Sequence, residues 1–144
     1  MNRNQRIKTE NTLSRDTGSR ILVVDDDRDI LIFMKLALES EGLEVTCAER
    51  GEEALELLAA RSYRVLLTDQ NMPGIDGFEL ARQARRIQPE LTVFMGTGHL
   101  YPGIEERAAA AGISEVFGKP FNFQRLFKLL LEIVSHPSTV NTSE

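Results

Sequence analysis

The chain alternates regularly between short, continuously apolar runs and longer segments whose apolar residues recur at helical spacing. The runs at 21–24, 65–67 and 91–95 are apolar almost throughout, as expected of strands buried on both faces rather than on one. Further strands are expected at 43–48 and 115–118, with the third and fourth running on to Asp69 and Thr97. Between the strands, apolar residues mark helical faces. Ile30, Met34, Ala37 and Leu38 form the first, closed by Gly42, and Ala54, Leu55 and Leu58 the second. Leu80, Ala84 and Ile87 form the third, and Ile104, Ala108 and Ala111 the fourth, which runs to Gly112 with Pro102 in its first turn. Leu126, Phe127, Leu130, Ile133 and Val134 form the fifth.

Five strands alternating with five helices imply an α/β fold: a single (β/α)5 doubly wound parallel sheet covered on both faces. Right-handed crossovers leave few windings, and the strand order 2-1-3-4-5 fits the element count. With 144 residues there is room for one domain. It is expected over 20–135, between a polar flexible arm at 1–19 and a Pro/Ser/Thr-rich flexible tail at 136–144. No apolar run approaches the ~18 residues that cross a bilayer, and no secretory signal opens the chain. Cys47 is the only cysteine, which excludes an internal disulfide and fits a reducing cytoplasm. A net charge of −5 argues against direct nucleic-acid binding. Arg82, Arg85 and Arg86 on the third helix are accordingly read as a solvated face.

In such a winding, ligands sit beyond the carboxyl ends of strands 1 and 3. Strand 1 ends in Asp25, Asp26 and Asp27, and strand 3 in Asp69, followed by Gln70 and Asn71. Asp27 is placed to cap the next helix. The remaining carboxylates would crowd like charges into one crevice, which calls for a cation, and an oxygen-only set suits Mg2+. Strands 4 and 5 end in Thr97 and Lys119, which would add a hydroxyl and an ammonium to the same crevice. Such a set suits a phosphoryl group, whose transfer depends on positioning and charge neutralisation, with a carboxylate able to act as nucleophile.

The motifs ILVVDDD at 21–27, LLTDQNMPGIDGFEL at 66–80, GTGH at 96–99 and GKPF at 118–121 resemble those of the receiver domains of bacterial response regulators and hybrid kinases. The resemblance implies the same flavodoxin-like fold and places the phosphoacceptor on Asp69. It places the metal-binding acid pair on Asp25 and Asp26, and the metal's backbone carbonyl ligand on Asn71. The phosphate-contacting hydroxyl falls on Thr97 and the phosphate-binding lysine on Lys119, often followed in such proteins by a cis proline bond. The implied function is two-component phosphorelay: Asp69 takes a phosphoryl group, with Mg2+, from a histidine kinase or histidine phosphotransfer protein. A face made by the fourth helix, fifth strand and fifth helix then switches toward a target protein, and a phosphorylation-dependent dimer is allowed. The chain would be a cytoplasmic regulator rather than an enzyme, without membrane attachment and without an output domain after the fifth helix. The alternatives are a phosphorylation-independent binding module and a small aspartate-based phosphatase; Asn71, where the latter would carry its second acid, argues against it.

Two positions depart from the pattern. Val116 stands where similar domains often carry a switching aromatic, and Phe117 next to it should face the other way. Gly96 replaces a larger residue before Thr97 and is expected to loosen the strand end. His99 is expected at the rim, and Tyr101 either as an exposed contact or packed in its loop.

Overall fold

The computed structural model describes residues 19–135; the expected tail, and the arm up to residue 18, lie outside the described residues. The elements, in chain order, are β1 (Arg20–Val24), α1 (Arg28–Glu39), β2 (Glu44–Ala48), α2 (Gly51–Ala60), β3 (Val65–Asp69), α3 (Gly77–Ile87), β4 (Thr92–Thr97), α4 (Ile104–Ala110), β5 (Glu115–Gly118) and α5 (Phe123–Val134). All neighbouring strands are parallel, in the order β2-β1-β3-β4-β5. This is the expected winding, with the strand bounds within a residue of those read from the sequence.

Alternation along the strands explains the two cores. Ile21, Val23, Val65, Leu67, Phe94 and Phe117 pack with Leu31, Met34 and Leu38 of α1 and Leu126 and Leu130 of α5. Leu22, Val24, Leu66, Val93 and Met95 face the opposite way, onto Ala54 and Leu58 of α2, Phe78, Leu80 and Ala84 of α3, and Ile104 and Ala108 of α4. The sheet is thus covered on both faces, and its C-terminal edge is left to the loops. Each fully buried Leu or Phe contributes about 1.5–3 kcal/mol, enough to fix the strand ends against one another. Among the described residues, no helix is long and apolar enough to cross a membrane.

Side-chain caps set where the helices begin beside that edge. Asp27 accepts from the backbone N–H groups of Asp29 and Ile30 at the start of α1. Asp76 accepts from Glu79 at the start of α3, and Asn122 from Arg125 at the start of α5. The fourth helix differs from expectation. It opens at Ile104, after Gly103 at φ 94°, so Pro102 lies before the first turn rather than inside it. A left-handed residue cannot lie within a right-handed helix, so Gly103 marks the boundary.

Candidate functional site

The ends of β1, β3 and β5 bring the expected charges together. Asp25 is buried at 4% exposure, Asp69 is half-buried and Asp26 is exposed. One carboxylate oxygen from each lies within 4.8 Å of the others. Asp25 Oδ1 accepts from the backbone N–H of Asp27 at 2.9 Å. Its Oδ2 accepts from Lys119 Nζ at 2.8 Å, and the same ammonium lies 3.1 Å from Asp69 Oδ1. Residue 119, separated from Asp25 by 94 positions, therefore spans two carboxylates. The peptide bond between Lys119 and Pro120 is cis.

The electrostatics follow from this crowding. Burial first, and then the charge of Asp25, push the Asp69 carboxyl above its ordinary value, while the hydrogen bond and charge of Lys119 pull it down. For Lys119, burial lowers the ammonium's value, but the hydrogen bonds and charges of Asp25 and Asp69 outweigh it, so the net shift is upward. Lys119 is therefore a fixed cation at neutral pH. Three acidic side chains of graded exposure, all oxygen donors and with solvent on the Asp26 side, fit a hard divalent cation that keeps part of its water shell.

Thr97 reaches the same edge but is engaged elsewhere. It is fully buried, and its hydroxyl donates to Gln70 Oε1 at 2.6 Å. The hydroxyl oxygen accepts from the backbone N–H of His99 at 3.1 Å. The side chain of Gln70 was not singled out by sequence reasoning. Asp69 and Gly96 are the last registered pair of β3 and β4, so Gln70 and Thr97 face one another one step further on. Asn71 is exposed on the loop that follows, and His99 is exposed at the rim as expected.

Gly96 corrects an expectation: it does not loosen the strand end. It is buried and registered with both Asp69 and Phe117. A Cβ there would come within 2.7 Å of the Phe121 ring, so the missing side chain is the space that Phe121 fills. The ring of Phe121 also lies 5.8 Å from Lys119 Nζ. Phe117 turns away from Val116 as predicted, packing at 5.4 Å on Phe94 in the core toward α1 and α5. Val116 packs in the other core, where Tyr101 also packs, half-buried. The hydroxyl of Tyr101 accepts from Arg107, whose guanidinium lies 3.9 Å from the centroid of Phe78, so the packed alternative holds for this loop.

Comparison with known proteins adds a family to this geometry. The family model described as "Response regulator receiver domain" matches residues 21–131. A response regulator receiver protein of Brucella abortus, CpdR, is 38% identical over 74% of this chain and 89% of its own length. The peroxide stress-activated histidine kinase mak3 of Schizosaccharomyces pombe is 30% identical over 91% of this chain, which spans only 6% of that kinase. Escherichia coli NtrC, a DNA-binding transcriptional regulator, is 36% identical over 81% of this chain, corresponding to 25% of NtrC. Among solved structures, a CheY-like receiver domain from Methanospirillum hungatei is 32% identical with a TM-score of 0.76, covering 81% of this chain and 94% of its own. A Thermotoga maritima response regulator in complex with Mg2+ and BeF is 33% identical with a TM-score of 0.71, covering 80% and 98%.

Proposed function

Because this chain belongs to the response regulator receiver domain family, we propose that Asp69 accepts a phosphoryl group from a phosphohistidine on a histidine kinase or phosphotransfer protein. An Asp69 carboxylate oxygen attacks phosphorus in line. A P–O bond forms as the P–N bond breaks, and the departing imidazole takes up a proton. Lys119, already fixed at 3.1 Å from Asp69 Oδ1, is placed to neutralise the charge that builds on the phosphoryl oxygens. Thr97 supplies a hydroxyl donor once its hydrogen is turned toward them. Asp25, Asp26, Asp69 and the backbone carbonyl of Asn71 would hold Mg2+, which when bound offsets the negative charge shared by donor and acceptor.

The observation that carries this reading is the ammonium of Lys119 shared between Asp25 and Asp69 at the switch point of the sheet. In the fold, the half-buried ammonium offsets the like charges of the two acids. As a charge clamp on a phosphorylated aspartate, it has a role for each contact. The protein then acts as a cytoplasmic phosphoacceptor regulator that takes part in its own phosphorylation and dephosphorylation. It passes the signal by the surface of α4, β5 and α5 to a target protein, without direct contact to DNA or membrane.

The test is intact-mass measurement after incubation with Mg2+ and a small phosphodonor. A single addition of ~80 Da that decays with time and is absent in Asp69→Asn supports the assignment. No addition points to a phosphorylation-independent module, and continuous phosphate release from unrelated esters points to a phosphatase.

A further inference from the structure

We infer that Gln70 is a positioning residue for this chemistry: its side-chain carbonyl holds the Thr97 hydroxyl in the unphosphorylated protein and so sets how readily Asp69 takes a phosphoryl group. The inference rests on Asp69 being the phosphoacceptor.

A threonine hydroxyl has one hydrogen to donate. Here it is directed at Gln70 Oε1 at 2.6 Å, with only a longer contact, 3.3 Å, to the carbonyl of His99. Thr97 is fully buried, so water does not compete for that hydrogen. Strand alternation explains the pairing. Gln70 and Thr97 point to one side of the sheet, as cross-strand neighbours, while Asp69 and Gly96 point to the other.

Gln70 is also anchored against drifting away. Its backbone N–H donates to Gly96 O at 2.9 Å, and its carbonyl accepts from the Gly77 N–H at 2.8 Å. Gly77 permits that approach because a Cβ there would collide with the carbonyl oxygen of Asp69 and sit 3.0 Å from Gln70 Cα. The residue bearing the acceptor is therefore clamped between β4 and the start of α3, directly after Asp69.

For Thr97 to donate to a phosphoryl oxygen, the hydrogen bond to Gln70 must break. The new bond, to a charged acceptor, is the stronger of the two. The carboxamide of Gln70 is half-buried and regains water when released. Gln70 thus acts as a ground-state competitor for the Thr97 hydroxyl hydrogen, and removing its acceptor lowers the cost of the exchange.

The probe is trifluoroberyllate with saturating Mg2+, titrated calorimetrically onto the full chain. Gln70→Met keeps the length of the side chain and removes the acceptor, and Gln70→Leu serves as a second variant. Binding is expected to tighten about three- to tenfold in both, the range of one neutral hydrogen bond. The gain should persist in a Thr97→Ser background, which keeps a hydroxyl, and vanish in Thr97→Val. A general structural effect of residue 70 would move affinity equally in all backgrounds, and that result overturns the inference, as does unchanged or weakened binding in Gln70→Met. A parent protein that binds no trifluoroberyllate overturns the phosphoacceptor reading itself, and with it the role given to Gln70.

Discussion

Replacing Lys119 by Met removes the ammonium from between two carboxylates while keeping most of the side chain's volume. The structure sets the size of the effect. Nζ lies 2.8 Å from Asp25 Oδ2 and 3.1 Å from Asp69 Oδ1, and Asp25 is almost completely buried. Contacts of this kind contribute about 1.5–3 kcal/mol each, and truncating one partner leaves a buried charge uncompensated. Against this, the Lys119 side chain is 22% exposed and its own desolvation is relieved in the variant. The expected loss at neutral pH is therefore about 3 kcal/mol, well inside the 5–15 kcal/mol typical of such a domain. In urea this lowers the midpoint by about 1.5 M. The deficit should shrink in acid, because a protonated Asp69 no longer needs the ammonium. Mg2+ should narrow it too, since the freed carboxylate oxygens bind the cation better; a tenfold gain in affinity returns about 1.4 kcal/mol at saturation. Urea titrations of parent and variant, with and without Mg2+, at neutral and acid pH, measure each part. Equal midpoints, or an equal response of both proteins to Mg2+, would show that Lys119 does not neutralise this cluster.

Asp69→Asn should stabilise the metal-free protein at neutral pH by about 1 kcal/mol while abolishing phosphorylation. The folded protein raises the Asp69 carboxyl above its ordinary value of 3.8, so its ionisation destabilises the fold as pH rises through the raised value. The gain should disappear below 3.8, where the parent is protonated in both states, and a thermal-melt series across pH that shows no such convergence would contradict this. Gly96→Val should cost about 1–3 kcal/mol by driving the Phe121 ring off the strand end. It should also slow phosphorylation, because the same side chain would press on Lys119; an unchanged denaturation midpoint would sink the packing argument. Asp27→Ala should cost about 1 kcal/mol in urea titration through the lost cap of α1, yet leave phosphorylation intact, because the backbone N–H that Asp27 donates to Asp25 remains.

Much of the fold was legible because buried parallel strands write themselves as unbroken apolar runs, and the helices between them carry one apolar face each. The positions of Asp25, Asp26, Asp69, Thr97 and Lys119 were legible for a related reason: each ends or follows a strand, so the topology alone sends them to one edge. Their partners were not legible. Whether Lys119 spans Asp25 and Asp69, or only one of them, depends on side-chain paths across 94 residues of intervening chain. Gly96 read as a weakness because the ring that fills its space comes from Phe121, on a loop beyond a different strand. Gln70 was hidden by register. The pairing of residue 70 with residue 97 follows only once Asp69 is known to lie opposite Gly96, and no apolar pattern within β3 or β4 encodes that offset.

These hidden partners share a logic that the strand-end residues alone do not reveal. The groups proposed to meet a phosphoryl group are each held by another protein group: the Asp69 carboxylate by Lys119, and the Thr97 hydroxyl by Gln70. The two contacts differ in what the proposed phosphorylation asks of them. If Asp69 is phosphorylated as proposed, Lys119 would pass from carboxylate to phosphoryl oxygen without leaving the site, its backbone being held by the Lys119 N–H donating to Thr97 O at 2.8 Å. Thr97 cannot make its exchange without abandoning Gln70, and its hydroxyl is also the acceptor for the His99 N–H. That N–H links the hydroxyl to the turn leading to Tyr101, whose ring packs in the same core as Val116. On the proposed phosphorylation of Asp69, and with valine rather than an aromatic at residue 116, the loop carrying Tyr101 would be the packed element that carries a shift of Thr97 toward α4 and β5.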